Sequence, residues 1–159
     1  MREELVALAL KWQKQYGVAP AVTSALSECD AAIFLVGMSE LDYSEYMQDR
    51  TAVSNGHDFV FQGKKYQIKA SRPSGKSGSD ITNVGKAQKK DKKTREYKWD
   101  VLIWIRYNKY YWVEEAWKFD KASYGREFGD RQGQRLSLED MREGIEIIVP
   151  DDISAKCHS

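Results

Sequence analysis

The chain is poor in the residues that cross-link or ligate small proteins. It has two cysteines, Cys29 and Cys157, and two histidines, His57 and His158, among 159 residues. The cysteines lie far apart in sequence and one is close to the end, so we expect free thiols in a reducing cytoplasm. So few cysteines and histidines also argue against a structural zinc site, which usually needs four such ligands.

Long apolar runs are also missing. No stretch approaches the roughly 18 to 20 uncharged apolar residues that span a bilayer. The amphipathic start "MREELVALALKWQKQ" has no apolar block before a cleavage site. These absences predict a cytoplasmic protein with no membrane partner. Charged residues make up 31% and apolar residues 42% of the chain, which is typical of one soluble domain with a sizeable core.

The net charge is close to zero, but the positive charge is concentrated in one segment. The formal net charge is +1. Residues 64–98 contain 12 Lys and Arg against 3 Asp and Glu, whereas the segments on either side are acidic. Such a block indicates either an anionic partner or a solvated loop on an interaction protein. The charge pattern alone does not separate these two interpretations.

Hydrophobic periodicity places helices before strands. Residues 2–17 have a helical stripe, and residues 20–37 have a second one that ends at a glycine. Residues 57–70 alternate with a period of two, which predicts a hairpin that turns near Gln62-Gly63. The predicted buried face of the first helix consists of Leu5, Leu8, Ala9, Trp12 and Tyr16.

The second half of the chain predicts two long strands and shorter elements. "WDVLIWIRYN" is typical of a central strand, and "YYWVEEAWKF" follows it after a tight turn at Asn108-Lys109. Residues 38–56 show no clear pattern. Two short helices and a late strand are expected in "DKASYGREFG", "SLEDMREG" and "IEIIVP".

The order of these elements predicts an α/β fold, in which a mixed sheet with a central hairpin is flanked by helices. One domain is expected over residues 1–159. It would have N-terminal helices in 1–37, a sheet core in 57–149 with a basic loop at 71–98, and a tail at 150–159.

The stretch "YQIKASRPSGKS" fits two incompatible functions. From Ala70 onward it matches the loose phosphate-loop pattern A-x-x-x-x-G-K-S. A phosphate loop follows a buried apolar strand and opens a helix. Here the strand "KKYQIKA" alternates lysines with apolar residues, and "GSDITNVG" is a poor helix former. A nucleotide-binding protein is therefore only the minor alternative.

The predicted hairpin brings three polar side chains together. With a turn of even length at Gln62-Gly63, Asp58 lies opposite Gln67, and Lys69 is the next residue along the same face. The other face is apolar and is expected to lie on the helices; it consists of Phe59, Phe61, Tyr66, Ile68 and Ala70.

A carboxylate, an amide and an ammonium on one strand face suit metal-assisted cleavage of phosphodiesters. Mg²⁺ prefers oxygen ligands and keeps several waters, and Mn²⁺ is its expected substitute. The predicted ligands are the Asp58 carboxylate, the Gln67 side-chain carbonyl and the Ile68 backbone carbonyl. Lys69 would orient the attacking water and stabilise charge on the phosphate. An incidental Asp–Lys pair on a solvated strand is the alternative.

The stretch "DFVFQGKKYQIK" resembles the signature of the PD-(D/E)xK, or restriction-endonuclease-like, nuclease superfamily. Together with "YKWDVLIWIRYN" and "VEEAWKFD" it is similar to small bacterial members of that superfamily, over about residues 55–122. The resemblance implies an αβββαβ core and a magnesium-dependent endonuclease acting on DNA, with Asp58, Gln67 and Lys69 in its site. His57 replaces the proline of the signature, and Gln67 replaces an acidic residue. The second change favours the alternative of a nucleic-acid-binding protein without activity.

Further residues complete the predicted site. Glu28 on the second helix is an additional candidate carboxylate, with a solvated glutamate as the alternative. Since one small domain has one site, cutting both strands of DNA would need a homodimer. Residues of the basic block are expected to bind the nucleic-acid backbone without sequence preference: Arg72, Lys76, Lys86, Lys89, Lys90, Lys92, Lys93 and Arg95.

Overall fold

The computed structural model describes residues 1–50, 56–74, 83–85, 93–94, 96–129 and 136–158. Three helices come first: α1 (Arg2–Tyr16), α2 (Thr23–Asp30), which continues as a π-helical turn (Ala31–Val36), and α3 (Glu40–Asp49). The elements that follow are β1 (Phe59–Phe61), β2 (Lys64–Ser71), β3 (Asn83–Gly85), β4 (Val101–Tyr107), β5 (Val113–Asp120), α4 (Lys121–Phe128), β6 (Leu136–Ser137), α5 (Leu138–Met141), β7 (Ile145–Glu146) and a 3₁₀ turn (Ala155–Cys157).

Five strands of the described ranges form one sheet, in the order β1-β2-β4-β5-β7. β2 and β4 are parallel, and the other neighbours are antiparallel. β3 and β6 pair with each other in a separate two-stranded sheet. The apolar run of β4 lies at the centre, as its composition predicts, because its two faces are both covered. The prediction of a mixed sheet flanked by helices is confirmed.

The β1–β2 hairpin has the predicted turn and register. Gln62 and Gly63 both have positive φ, at 49° and 76°, as a two-residue type I′ turn requires. Phe59 pairs with Tyr66, and Phe61 pairs with Lys64. The even length of the turn therefore decides which side chains share a face, and the predicted apolar face packs on the helical side.

Apolar side chains pack on both faces of this sheet. On one face, α1 and α2 cover β2 and β4, with Leu26 and Ile103 among the buried residues. On the other face, α4 and α5 cover Leu102, Trp104 and Phe119. Successive residues of β4 thus enter different clusters, which is why its sequence is apolar without alternation. None of the helices in the described ranges has the length and apolar character needed to cross a membrane.

The buried face of α1 is only partly the predicted one, since Ala9 is buried and Leu5 packs against the core as expected, but the aromatic residues do not. Val6 and Ala9 are buried, whereas Leu8, Trp12 and Tyr16 are 62%, 48% and 58% exposed. Two apolar stripes compete on this helix, and the one that carries the aromatic residues faces outward. The prediction for Leu8, Trp12 and Tyr16 is therefore wrong.

A buried ion pair explains the rotation of α1. Asp30 is fully buried and accepts hydrogen bonds from Arg2 Nε at 2.8 Å, from Arg2 Nη2 at 3.0 Å and from the Tyr107 hydroxyl at 2.8 Å. Arg2 Nη2 also donates to the Tyr111 carbonyl at 2.7 Å. Since the first turn of α1 is tied to α2 and β4 through Arg2, the face that contains Arg2 and Val6 must point inward.

Other elements differ from expectation in detail. Residues 40–49 form α3, whose cap Ser39 accepts a hydrogen bond from Asp42 N at 3.0 Å. No residue of α3 is buried, so its sequence lacks the apolar stripe from which a helix can be predicted. The connection between β4 and β5 spans residues 108–112 and is longer than the predicted tight turn. Ser137 and Asp140 form a capping box at the start of α5.

Candidate active site

Asp58 lies at the open edge of β2, just before β1 begins. Its backbone N–H donates to the Tyr66 carbonyl at 2.7 Å, which continues the hairpin by one residue. Its carboxylate then takes the place of a strand partner, because Oδ2 accepts a hydrogen bond from the Ile68 N–H at 2.6 Å. The side chain is buried, and the strand edge thus fixes the position of one carboxylate.

Gln67 is beside Asp58, as predicted, but its amide is oriented as a donor. Nε2 donates to Asp58 Oδ2 at 3.0 Å and to the Ile68 carbonyl at 3.3 Å. The amide nitrogen therefore faces both of the other predicted metal ligands. The Gln67 side-chain carbonyl is therefore not directed at the predicted metal position. Instead, Gln67 orients Asp58 through a hydrogen bond.

Glu28 reaches the same place from α2. Its carboxyl group lies close enough to that of Asp58 for each to shift the other's pKa, and its Oε2 lies 3.6 Å from Arg50 Nη1. The side chain is 21% exposed, so it is not the solvated glutamate of the alternative interpretation. The structure thus brings together two carboxyl groups that are 30 positions apart in the chain.

The two carboxyl groups perturb each other's ionisation. The pKa of Glu28 is raised from 4.5 to about 6, first because the group is buried and second because it faces the charge of Asp58. Burial also raises the pKa of Asp58, while the Ile68 N–H and the charges of Arg50 and Lys69 oppose this effect. At neutral pH two adjacent buried carboxylates repel each other, so the site favours a cation.

Arg50 also belongs to this cluster, although no motif in the sequence predicts it. It follows α3 directly, and its Nη1 donates to the Asp58 carbonyl at 3.0 Å as well as approaching Glu28. Its charge lowers the pKa values of both carboxyl groups. One signal could have identified it, since Arg50 is the only lysine or arginine between Lys14 and Lys64.

Lys69 lies one step beyond Gln67 on the same face of β2 and pairs in register with Trp104 of β4. It is half-buried, and its positive charge lowers the pKa of Asp58. Within the described ranges Lys69 forms no ion pair and no hydrogen bond through its side chain. Its ammonium group is therefore available to a ligand of the site.

The donor set fits Mg²⁺ through two carboxylates. Among the described residues, no group of three or more Asp, Glu, His or Cys side chains comes together. Mg²⁺ is commonly held by one or two carboxylates, with waters and substrate phosphates as the other ligands. Glu28 and Asp58 suffice for that arrangement, at a lower affinity than a third carboxylate would give.

Comparison with known proteins adds no identification. The chain matches no model of a known protein family, and no curated protein is significantly similar to it. The resemblance carried by "DFVFQGKKYQIK" thus stays a prediction, and the geometry around Asp58 is the main argument for a function.

Arg72 does not have the surface position predicted for a phosphate contact. It is 8% exposed, and Nη2 donates to Gln13 Oε1 at 2.8 Å and to the Lys109 carbonyl. Its guanidinium lies over the Tyr111 ring, 3.9 Å from the centroid, and burial lowers its pKa. The prediction is wrong for this residue, because Arg72 joins the end of β2 to α1 and to the β4–β5 connection.

The other predicted phosphate contacts belong to the basic block. Lys93 is exposed, as such a contact requires. The remaining residues of the prediction lie outside the described residues: Lys76, Lys86, Lys89, Lys90, Lys92 and Arg95. A nucleic-acid interface on this block therefore stays a prediction.

Glu28 should make the stability of the protein depend on pH. Folding favours its protonated form, so its stabilising contribution is present below pH 4.5 and is lost as the pH rises through about 6. We expect the free energy of unfolding of Glu28→Gln, measured relative to that of the wild type, to be about 1–2 kcal/mol higher near pH 8 than near pH 4. Urea unfolding of both proteins at the two pH values measures this difference. The exposed Glu45→Gln is the control, and a Glu28→Gln effect that does not change with pH would refute the prediction.

Proposed function

We propose that the protein is a Mg²⁺-dependent nuclease that hydrolyses phosphodiester bonds in DNA. The observation that supports it best is the meeting of the Glu28 and Asp58 carboxyl groups beside Lys69. These groups come from a helix, from the entry to a hairpin strand and from the next strand. The proposal includes a restriction-endonuclease-like core, which is the fold that the resemblance of the hairpin sequence implies.

Each residue of the cluster has a role in this reaction. A bound Mg²⁺ supplies a water of lowered pKa and polarises a phosphoryl oxygen. Asp58 and Glu28 would bind the cation, while Gln67 and the Ile68 N–H keep the Asp58 carboxylate in position. Lys69 would donate to a non-bridging phosphate oxygen and stabilise the negative charge that develops there.

The charge distribution supports a polyanionic substrate. The segment 64–98, which begins with β2 itself, carries a net charge of +9 from 12 basic and 3 acidic residues. A block of this kind attracts a nucleic-acid backbone independently of sequence. The choice of DNA comes from the family resemblance. Cutting both strands would require a homodimer, because the part of one chain that the structure describes contains one such cluster.

The alternative is a nucleic-acid-binding protein without catalysis. Gln67 favours it, because a neutral donor stands where the superfamily signature has a carboxylate. This alternative predicts salt-dependent binding of DNA that does not require a divalent cation.

Nicking of supercoiled plasmid tests the proposal. We expect the purified protein to nick plasmid in Mg²⁺ or Mn²⁺, and we expect EDTA to stop the reaction. Asp58→Ala should lower the rate by at least about 100-fold, whereas Asp49→Ala, at an exposed position of α3, should not change it. Equal nicking by wild type and Asp58→Ala would defeat the proposal. Retention of DNA at low salt without cleavage by the wild type would establish the alternative.

A further inference from the structure

The second half of α1 carries an exposed aromatic pair. Trp12 and Tyr16 are one helical turn apart, with ring centroids at 4.7 Å, and about half of each side chain is exposed. Leu8 extends the same face towards the start of the helix and is 62% exposed. The core does not need these side chains, because Val6 and Ala9 form the buried face of α1.

The surroundings of this aromatic pair are basic. Lys11 and Lys14 are exposed in the same half of α1, and residues 5–27 contain no Asp or Glu. Glu3 and Glu4 are confined to the first turn. Flat apolar rings beside lysines that form no ion pair within the described residues are complementary to a ligand that combines negative charge with flat apolar faces. Nucleic acid with accessible bases has both properties.

Gln13, between the two aromatic residues, connects α1 to the start of the basic segment. Its Nε2 donates to the Ser74 carbonyl, and its Oε1 accepts from Arg72 at 2.8 Å. Ser74 follows Lys69 by five residues, a length of chain that spans at most about 18 Å. At about 3.4 Å for each nucleotide, this distance corresponds to about five nucleotides. One strand could therefore reach both the aromatic pair and the cluster around Asp58.

We propose that Trp12 and Tyr16 form a stacking surface for unpaired bases, so that the preferred ligand is nucleic acid with a single-stranded segment. The inference rests on the proposed function for the nature of the ligand and adds its structural class. Aromatic side chains stack on bases of any sequence, and nearby lysines attract the backbone. A duplex keeps its base faces inside its own stack and offers this pair no partner.

Binding of labelled oligonucleotides in EDTA tests this inference without cleavage. Fluorescence anisotropy would compare a single strand of about 12 nucleotides with a duplex of the same length. For the double variant Trp12→Ala, Tyr16→Ala we expect the affinity for the single strand to fall at least about tenfold, and the affinity for the duplex to fall less than about threefold. Leu8→Ala, which removes an exposed apolar side chain from the same face, is the matched control.

The possible results separate the two proposals. The inference would be overturned if the double variant lost affinity for single strand and duplex to the same degree, or if it lost affinity for neither of them. A change of oligomeric state in the double variant, with single-strand binding intact, would assign the pair to a contact between copies and would also overturn it. If the plasmid is not cleaved but the preference for single strands depends on the pair, the inference stands and the nuclease proposal falls. If the wild type binds neither strand form at low salt, both fall.

Discussion

Lys69→Met is expected to slow Mg²⁺-dependent plasmid nicking by about 100- to 1000-fold, with little change in DNA binding. The ammonium is the cation nearest to Asp58 on β2, lowers the pKa of that carboxyl group and has no partner among the described residues. A positive charge that is already in position, and need not move during the reaction, stabilises a developing negative charge most. Methionine keeps most of the length of the side chain and removes the charged ammonium group.

Lys65→Met is the matched control for this experiment. Lys65 lies on the same strand and faces the same side as Gln67 and Lys69, but it is exposed and precedes Gln67, away from the Ile68 N–H that holds Asp58. Its loss should leave the rate within about threefold of wild type, because an exposed charge is screened by solvent. If the Lys69→Met variant also nicks plasmid at a rate within about threefold of wild type while Asp58→Ala is inactive, Lys69 has no catalytic role.

Asp30→Ala is expected to destabilise the protein by about 3–5 kcal/mol. The Asp30 side chain is 0% exposed and its partner Arg2 is 12% exposed, so the substitution leaves a buried guanidinium without its counter-charge. It also removes the acceptor of the Tyr107 hydroxyl, whose pKa is raised by burial and by the Asp30 charge. For a chain of this length the change corresponds to a fall in Tm of about 6–20 °C.

Urea unfolding measures this loss, with the exposed Asp49→Ala as the control that should change stability by less than about 0.5 kcal/mol. The double variant Arg2→Met, Asp30→Leu should lose less stability than the two single variants Arg2→Met and Asp30→Ala lose together. The reason is that no buried charge is then left without a partner. An effect of Asp30→Ala no larger than that of Asp49→Ala would show that this buried pair does not hold α1 in place.

The cluster around Asp58 and the pair around Asp30 differ in their electrostatics. Asp30 is paired with an arginine and a tyrosine hydroxyl, so its charge is compensated where it lies. Glu28 and Asp58 face each other and are compensated only in part by Arg50 and Lys69. Buried like charges reduce stability, and perturbed carboxyl groups of this kind are concentrated at functional sites. The contrast supports a ligand-binding role for the first cluster and a structural role for the second.

Much of the hairpin site could be predicted because its geometry is local. A two-residue turn at Gln62-Gly63 sets the pairing of β1 with β2, and the pleat then decides that Asp58, Gln67 and Lys69 lie together. These relations involve about a dozen consecutive residues, so alternation and turn chemistry suffice to derive them. The direction of the Gln67 amide could not be derived, since it depends on which neighbours accept its hydrogen bonds.

The sequence by itself determined the elements whose causes are local: the hairpin with its register, and the apolar central strand. Tertiary structure alone decided which face of α1 is buried, that Arg72 points inward and that Arg50 joins Glu28 at Asp58. The physical reason is that these outcomes depend on partners distant in the chain: Asp30 lies 28 positions from Arg2, Gln13 lies 59 from Arg72, and Glu28 lies 22 from Arg50. A charged side chain has the same sequence signature whether it meets solvent or a buried counter-charge, and only the packed chain distinguishes the two.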